Sequence, residues 1–435
     1  MTMRASSVVT IAFLVAACGG TPSQPAQPVQ PANVADLIIL NGKVHVADEK
    51  NTVAQAVAVK GNTILRVGTT NEIKALAGPS TRVIDARGGT VAPGFNDAHV
   101  HFIEGGLALK QADLAGLTAL AEVQAAIREF AAKQPAGAWI AGRGWLYTPF
   151  PGGSPTAAQL DAVVPDRPAV MDCYDGHSIW VNSVVLKLAG ITRATRDPVN
   201  GVIVRDPKTG EPTGHLKESA QGLIDGVLPP VTIEHRRAAL RAAVTEANRL
   251  GVTSIQNAGT SLDDMALFDE AKQSGALSVR AYLATDGEPG LTEADVDKMD
   301  VAWKQYGDDP TMRTGIVKLF ADGVIESQTA AMLAPYVGTG RAGTPNMTAS
   351  EMNRIVAMFD KRGWQIQIHA IGDRAIRLSL DAFEAAAKAN PAPARGRRHR
   401  LEHVEAISAQ DIARFGQHGV IASQQPMHVA LGDAN

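Results

Sequence analysis

Two rhythms of apolar and polar residues divide the chain. From 35 to 90 the apolar positions come in short runs cut by turns; from 91 onward such runs alternate with long segments of helical period. In the first stretch Leu37-Ile38-Ile39-Leu40 meets Asn41-Gly42, a pair that favours the left-handed backbone of a tight hairpin. Ala56-Val57-Ala58-Val59-Lys60 then precedes Gly61-Asn62 and Thr63-Ile64-Leu65-Arg66-Val67. These strands are too few to close a core alone, so residues 35–90 are expected to form a partial β-sandwich.

Beyond residue 91, apolar residues recurring every three or four positions predict helices over 120–132, 235–250, 262–274, 348–362 and 373–389. In 235–250, Ala239, Ala243, Ala247 and Leu250 share one face, and Gly251 supplies the stop. Strands are predicted over 94–98, 139–141, 169–173, 252–256, 279–283, 316–320, 365–369, 400–403 and 420–423. Strands alternating with amphipathic helices build a parallel sheet from βα units, an α/β fold of the TIM (β/α)8 barrel class. At least one of these segments lies outside any such barrel, and the pattern alone does not say which.

Composition narrows the partners. The 435 residues are 45% hydrophobic and 20% charged, with a net charge of −3, so no nucleic-acid partner is expected. The one basic run, Arg395-Gly396-Arg397-Arg398-His399-Arg400, follows two prolines and reads as a solvated loop. Of the two cysteines, Cys173 sits in an apolar strand and reads as a small buried residue, which excludes a disulfide framework. Cys18 ends Leu14-Val15-Ala16-Ala17-Cys18, after Arg4 and an apolar run too short to span a bilayer. This resembles a bacterial lipobox, so residues 1–18 are expected to be a lipoprotein signal peptide with Cys18 the lipidated residue. Residues 19–34, rich in Pro and Gln with Gly and Ser among them and no charge, read as a flexible linker. The expected location is the bacterial cell envelope, lipid-anchored to a membrane on its periplasmic or extracellular face. Oligomeric state leaves no signal.

Chemistry concentrates in four places. Ala92-Pro93-Gly94-Phe95-Asn96-Asp97-Ala98-His99-Val100-His101 ends a strand in His-x-His, and strand alternation points His99 and His101 the same way, as a two-armed metal ligand. His369 ends the apolar strand Gln365-Ile366-Gln367-Ile368, and His403 ends Arg400-Leu401-Glu402. Both stand where a strand hands over to the next helix, the end at which barrel active sites gather. Lys318 lies inside Gly315-Ile316-Val317-Lys318-Leu319-Phe320-Ala321-Asp322-Gly323. A buried ammonium is costly, so it must be deprotonated, modified to a carbamate, or ion-paired to a carboxylate such as Glu218 or Asp322.

The order His-x-His, lysine strand, histidine strand, histidine strand resembles the amidohydrolase superfamily, and more narrowly amidohydrolase family 3, with its N-substituted formamide deformylase-like enzymes. The likeness includes Asp36-Leu37-Ile38-Ile39-Leu40-Asn41-Gly42-Lys43-Val44, Gly142-Arg143-Gly144-Trp145, Asp175-Gly176-His177-Ser178-Ile179-Trp180-Val181-Asn182-Ser183 and Thr213-Gly214-His215-Leu216-Lys217-Glu218. It implies a divalent metal centre of one or two ions, Zn2+ first. His99 and His101 would hold one ion and His369 and His403 a second. Lys318, as N6-carboxylysine, would bridge them, with Glu218 the rival bridge. Lys318 and His403 would thus serve catalysis as well as ligation. His177, Trp145 and Trp180 become candidates for contact with a small-molecule substrate, each with burial in the core as the alternative.

The implied activity is hydrolysis of amide-type C–N bonds, as in N-substituted formamides or N-acyl amides, by a metal-activated hydroxide. Two alternatives stay open: a non-catalytic lipoprotein that keeps the barrel, and a deaminase or cyclic-amide hydrolase of the same superfamily. The family's eighth-strand aspartate has no counterpart before Asn435, and Asp433 follows no apolar strand. Residues 91–435 are therefore expected to form an incomplete barrel, truncated at the C-terminus, that is poorly stable and has little or no hydrolase activity.

Overall fold

The computed structural model describes residues 34–307, 309–426 and 428. The signal segment, Cys18, nearly all of the linker and Asp433 lie outside the described residues. The chain divides into two compact units at Pro93/Gly94.

In the first unit a four-stranded sheet runs in the order Thr63–Gly68, Ala56–Lys60, Ala35–Leu40, Ala77–Asp85, and a three-stranded sheet joins Val53–Ala54, Lys43–His45 and Thr90–Val91. Ala35, Ile38, Leu40, Ala56, Ala58 and Ile73 form its core. The expected hairpin at Asn41-Gly42 is not there. Asn41 does take the left-handed backbone (φ 56), but the turn carries the chain from one sheet to the other. Gly42 N–H bonds to Gln55 O at 2.8 Å and Asn41 Nδ2 to Asp85 Oδ1 at 3.1 Å, which diverts the strand. The hairpin forms instead at Gly61-Asn62, where Lys60 faces Thr63 in antiparallel register.

The second unit is built on seven parallel strands: β1 Phe95–Val100, β2 Val252–Thr260, β3 Arg280–Asp286, β4 Met312–Phe320, β5 Gln365–Ala370, β6 Arg400–His403 and β7 Ile421–Ser423. Among the described residues these seven pair strictly in sequence, the arrangement of a (β/α)8 barrel short of its eighth strand. Helices α1 Phe102–Ala108, α2 Ile233–Arg249, α3 Leu262–Gln273, α4 Glu293–Tyr306, α5 Ala349–Lys361, α6 Asp373–Ala389 and α7 Ala409–His418 flank these strands. Their starts are chemically marked. Ser261 and Thr348 accept the backbone N–H three residues on, and Thr292 with Asp295 forms a capping box. Where α1 meets α2, a Cβ on Gly106 would lie 2.1 Å from the Ala239 carbonyl oxygen, so only glycine fits. No helix among the described residues is long and apolar enough to cross a membrane.

Two of the nine predicted strands fall outside the barrel. Ile140–Trp145 and Ala169–Cys173 join a six-stranded sheet between β1 and β2, in the order Gly201–Arg205, Pro212–Glu218, Ser178–Val181, Ala169–Cys173, Ile140–Trp145, Ala112–Asp113. Cys173 is buried there as expected.

The basic run forms the expected loop between a helix and a strand, with Arg395 and Arg398 exposed, but its later members turn inward. Arg397 Nε (2.7 Å), His399 Nε2 (3.0 Å) and Asn390 Nδ2 (3.0 Å) converge on the buried carboxylate of Asp360, near the end of α5. Burial alone would raise the Asp360 pKa, but the bonds from His399 and Arg397 hold it down to about 2. A depressed carboxylate pKa stabilises the fold above the unfolded value of 3.8, and that contribution disappears as pH falls through the folded value. Asp360→Asn is expected to cost about 2 kcal/mol at pH 6 and progressively less from pH 4 toward pH 2, read from urea unfolding. A penalty independent of pH would contradict this account.

Arg400, in the same run, enters the barrel. Its Nη2 donates to Ala98 O on β1 (2.9 Å) and to Ser423 Oγ on β7 (2.8 Å), and its Nε donates to Glu402 Oε1 (2.7 Å). Nη1 bonds to Gln256 of β2. Among the described residues β1 and β7 do not pair with each other, and one buried guanidinium spans the seam between them.

Candidate metal centre

The C-terminal ends of β1, β5 and β6 carry the predicted imidazoles into one cluster. His99 lies in β1 and His101 caps α1 one residue past the strand, so their rings emerge together, 5.6 Å apart. The His403 ring stands 4.9 Å from His99 and 4.5 Å from His369. At the exit of β6 both His403 (φ 73) and Val404 (φ 52) adopt left-handed backbone, which is costly for a β-branched valine and folds the chain sharply back.

Burial strips these rings of protons. Loss of water lowers the pKa of His99, brings His101 down to about 3, and drops His369 and His403 far below the usual imidazole range; the Lys318 charge adds to the effect in every case. Neutral imidazole is the form that ligates. Glu402, which has no exposed surface, lies with Oε2 2.6 Å from His99 Nδ1. A carboxylate only accepts, so Nδ1 carries the proton and Nε2 presents its lone pair, the carboxylate–histidine arrangement that orients metal ligands. His369 Nε2 lies 3.1 Å from Gly323 O, which by the same reasoning leaves Nδ1 as the acceptor.

Lys318 completes the cluster. It is 1% exposed, its Nζ has no hydrogen-bond partner, and it sits 4.2 Å from the Phe320 ring centroid. Burial lowers its pKa to about 8, against the pull of Glu402 and Asp286. The ion pair to Glu218 or Asp322 that the sequence left open does not form. Asp322 is consumed by the backbone N–H groups of Ala331, Ile371 and Gly372, at 2.8–3.0 Å. Glu218 accepts from His177 Nδ1 (2.9 Å), Ser327 Oγ (3.0 Å) and Thr329 Oγ1 (2.5 Å).

His177 reaches the site, its ring 5.3 Å from His369. Burial opposes charge on it, but the Glu218 carboxylate outweighs that and raises its pKa. Trp145 and Trp180 do not reach the site. Both have no exposed surface and donate into the core of the six-stranded sheet, to Met171 O and Thr156 O at 2.8 Å. Their indoles are packing residues, which corrects the expectation of substrate contact. Two acids escaped the sequence reading: Glu402, and Asp286 at the end of β3. A Cβ on Gly259 would meet Asp286 Oδ1 at 2.7 Å and His101 Nδ1 at 3.8 Å, which places both beside the same glycine. Burial raises the Asp286 pKa to about 6. Only its strand-end position could have signalled it. Beside the cluster lies a cavity of about 790 Å³ whose walls include Glu218, Phe320, Gly323, Thr329, Arg341 and Asn346.

These residues fit a divalent cation. Neutral buried imidazoles surround an unpartnered amine, and the buried Nδ1 of His403 has no partner either. His99, His101, His369 and His403 include no three whose ligand nitrogens all lie within 4.8 Å, so gripping an ion would draw the rings inward.

The profile described as Amidohydrolase family matches residues 82–435. The chain belongs to the amidohydrolase family. This amidohydrolase is 32% identical to the protein LONG AFTER FAR-RED 3 of Arabidopsis thaliana over 92% of the chain and 70% of that protein. It is 30% identical to the N-substituted formamide deformylase of Arthrobacter pascens over 80% of the chain and 66% of that enzyme. Among solved structures, an uncharacterized metal-dependent hydrolase from Pyrococcus furiosus superposes with a TM-score of 0.67 at 22% identity, covering 91% of this chain and 78% of that one. The last likeness concerns the fold.

Proposed function

We propose that this amidohydrolase cleaves amide-type C–N bonds of a small molecule, with N-substituted formamides and N-acyl amides as the substrate class. The observation that carries this reading is the cluster of neutral, desolvated imidazoles around Lys318. Similarity to the Arthrobacter pascens deformylase supports the substrate class. His99 and His101 would hold one Zn2+ and His369 and His403 another, with Lys318 as carbamate between them. Such ions supply acidified water and a polarised carbonyl when bound.

The chain's own residues do the rest. Glu402 fixes the His99 tautomer, so Nε2 keeps the lone pair that a cation would take. Glu218 keeps a proton on His177 Nδ1 and favours the charged form of the ring, whose Nε2–H would be free to meet the substrate's carbonyl oxygen. Asp286, with its pKa near 6, is suited to carry a proton between water and the leaving nitrogen. We further propose that the chain acts at the bacterial cell envelope, anchored by lipid on Cys18. Lipid labelling lost in Cys18→Ala would support that; unchanged labelling would refute it.

The test of function uses the full chain loaded with zinc. Formamides, N-acyl amides and cyclic amides are screened for amine release, before and after treatment with a chelator. Turnover of an acyclic amide that the chelator abolishes and zinc restores is expected. Turnover unaffected by complete metal removal would sink the reading, as would a zinc-loaded chain inert toward the whole panel.

A further inference from the structure

A second group of donors converges just beyond the four-histidine cluster. Glu405 Oε1 and His428 Nδ1 are 2.8 Å apart, and the His428 ring lies parallel to that of His403, with 5.1 Å between centroids and 13° between planes. One ligand atom from each of His403, Glu405 and His428 lies within 4.8 Å of the others.

We propose that His403, Glu405 and His428 hold a divalent transition-metal ion, Zn2+ by preference, at a position separate from that served by His99 and His101. This deepens the hydrolase reading, on which it rests: His403, a neutral imidazole with one lone pair, would give that lone pair to this ion rather than to one shared with His369. An independent observation supports it. His403 is 9% exposed, and its Nδ1 is buried without a partner. A simple Glu405–His428 pair would leave that nitrogen orphaned, at a cost of about 1–3 kcal/mol. An ion bound through His403 Nδ1 would remove the orphan. Two imidazoles and one carboxylate are the donor set of open zinc sites, which keep a fourth position for water or a ligand. Zinc–ligand bonds of about 2.0–2.2 Å put tetrahedral donors roughly 3.4 Å apart, so Glu405 and His428, now 2.8 Å apart, would part slightly, and all three donors already lie within 4.8 Å of one another. The left-handed turn at His403 and Val404 is what brings Glu405 back to the ring two residues before it.

The test measures zinc content and affinity rather than activity. The full chain, Glu405→Gln, His428→Gln and the double variant His99→Ala/His101→Ala are equilibrated with Zn2+, freed of excess, and analysed for bound metal. Cobalt absorption spectra report the ligand sphere. Glu405→Gln and His428→Gln are each expected to lose one equivalent of zinc, or to bind it at least about tenfold more weakly. The His99→Ala/His101→Ala chain should retain that equivalent while losing another, and Glu405→Asp should recover what Glu405→Gln loses. Circular dichroism and cooperative unfolding identify variants that remain folded. Wild-type stoichiometry, affinity and cobalt spectrum in both Glu405→Gln and His428→Gln would overturn this site alone. A wild-type chain that takes up no zinc would overturn both this site and the hydrolase reading.

Discussion

Lys318→Ala is expected to lower amide turnover about a thousandfold and to reduce bound zinc, because several kcal/mol of electrostatic stabilisation then lose their anchor. The reasoning starts from burial. An amine with no hydrogen-bond partner and a pKa near 8 is neutral for a sizeable fraction of the time at mildly alkaline pH. Neutral amine is the form that takes up carbon dioxide, and the carbamate so formed carries two oxygens where the ammonium carried none. Lys318→Glu should therefore keep more metal than Lys318→Ala, and acetate should restore part of the alanine variant's turnover. Labelled bicarbonate would place a carbamate carbon signal in the wild type that is absent from both variants. Full activity and zinc content in Lys318→Ala would end the argument. Metal retained with no carbamate signal would transfer the bridging role to Glu218.

Glu402→Ala should damage stability and chemistry together. Glu402 accepts from His99 and from the Arg400 guanidinium, at 2.6–3.0 Å, with no exposed surface of its own. Its pKa is lowered in spite of burial by His99 and Arg400, so it is ionised at neutral pH. Removing it strands a buried cation, a change that costs about 3–5 kcal/mol. It also frees the His99 ring to turn, which should weaken zinc binding about ten- to a hundredfold. Urea unfolding and zinc competition measure the two effects separately. A variant as stable as the wild type would show that Arg400 finds its counter-charge elsewhere. Unchanged zinc affinity would remove Glu402 from the metal centre.

Parts of the molecule with strong apolar periodicity were legible in the sequence. Helices α5 and α6 bury continuous faces, from Met352 to Phe359 and from Ala375 to Ala386, and were predicted almost to the residue. Helices α4 and α7 were not, because each buries a single side chain, Val296 or Asp411. What marks α4 is its Thr292–Asp295 cap rather than its face. The strand segments 139–141 and 169–173 look like barrel strands because a buried strand reads the same in either sheet. Only pairing assigns them. For the site, strand alternation and strand-end position brought forward His99, His101, His369 and His403, and the cost of a buried charge brought forward Lys318. Glu402 was invisible because its partner His99 lies three hundred residues away and leaves no local trace, and Asp286 had only its strand-end position to mark it. Trp145 and Trp180 misled for the opposite reason: a motif names residues without saying whether they pack or touch substrate.

The Arg400 bridge has a consequence for motion. A single guanidinium ties the outer rims of the sheet to the acid that steadies His99, so neither rim can fray without loosening the other and the imidazole too. Hydrogen exchange at β1 and β7 should accordingly rise and fall as one cooperative unit, and zinc, by pinning His99, should slow exchange at a strand edge it never touches.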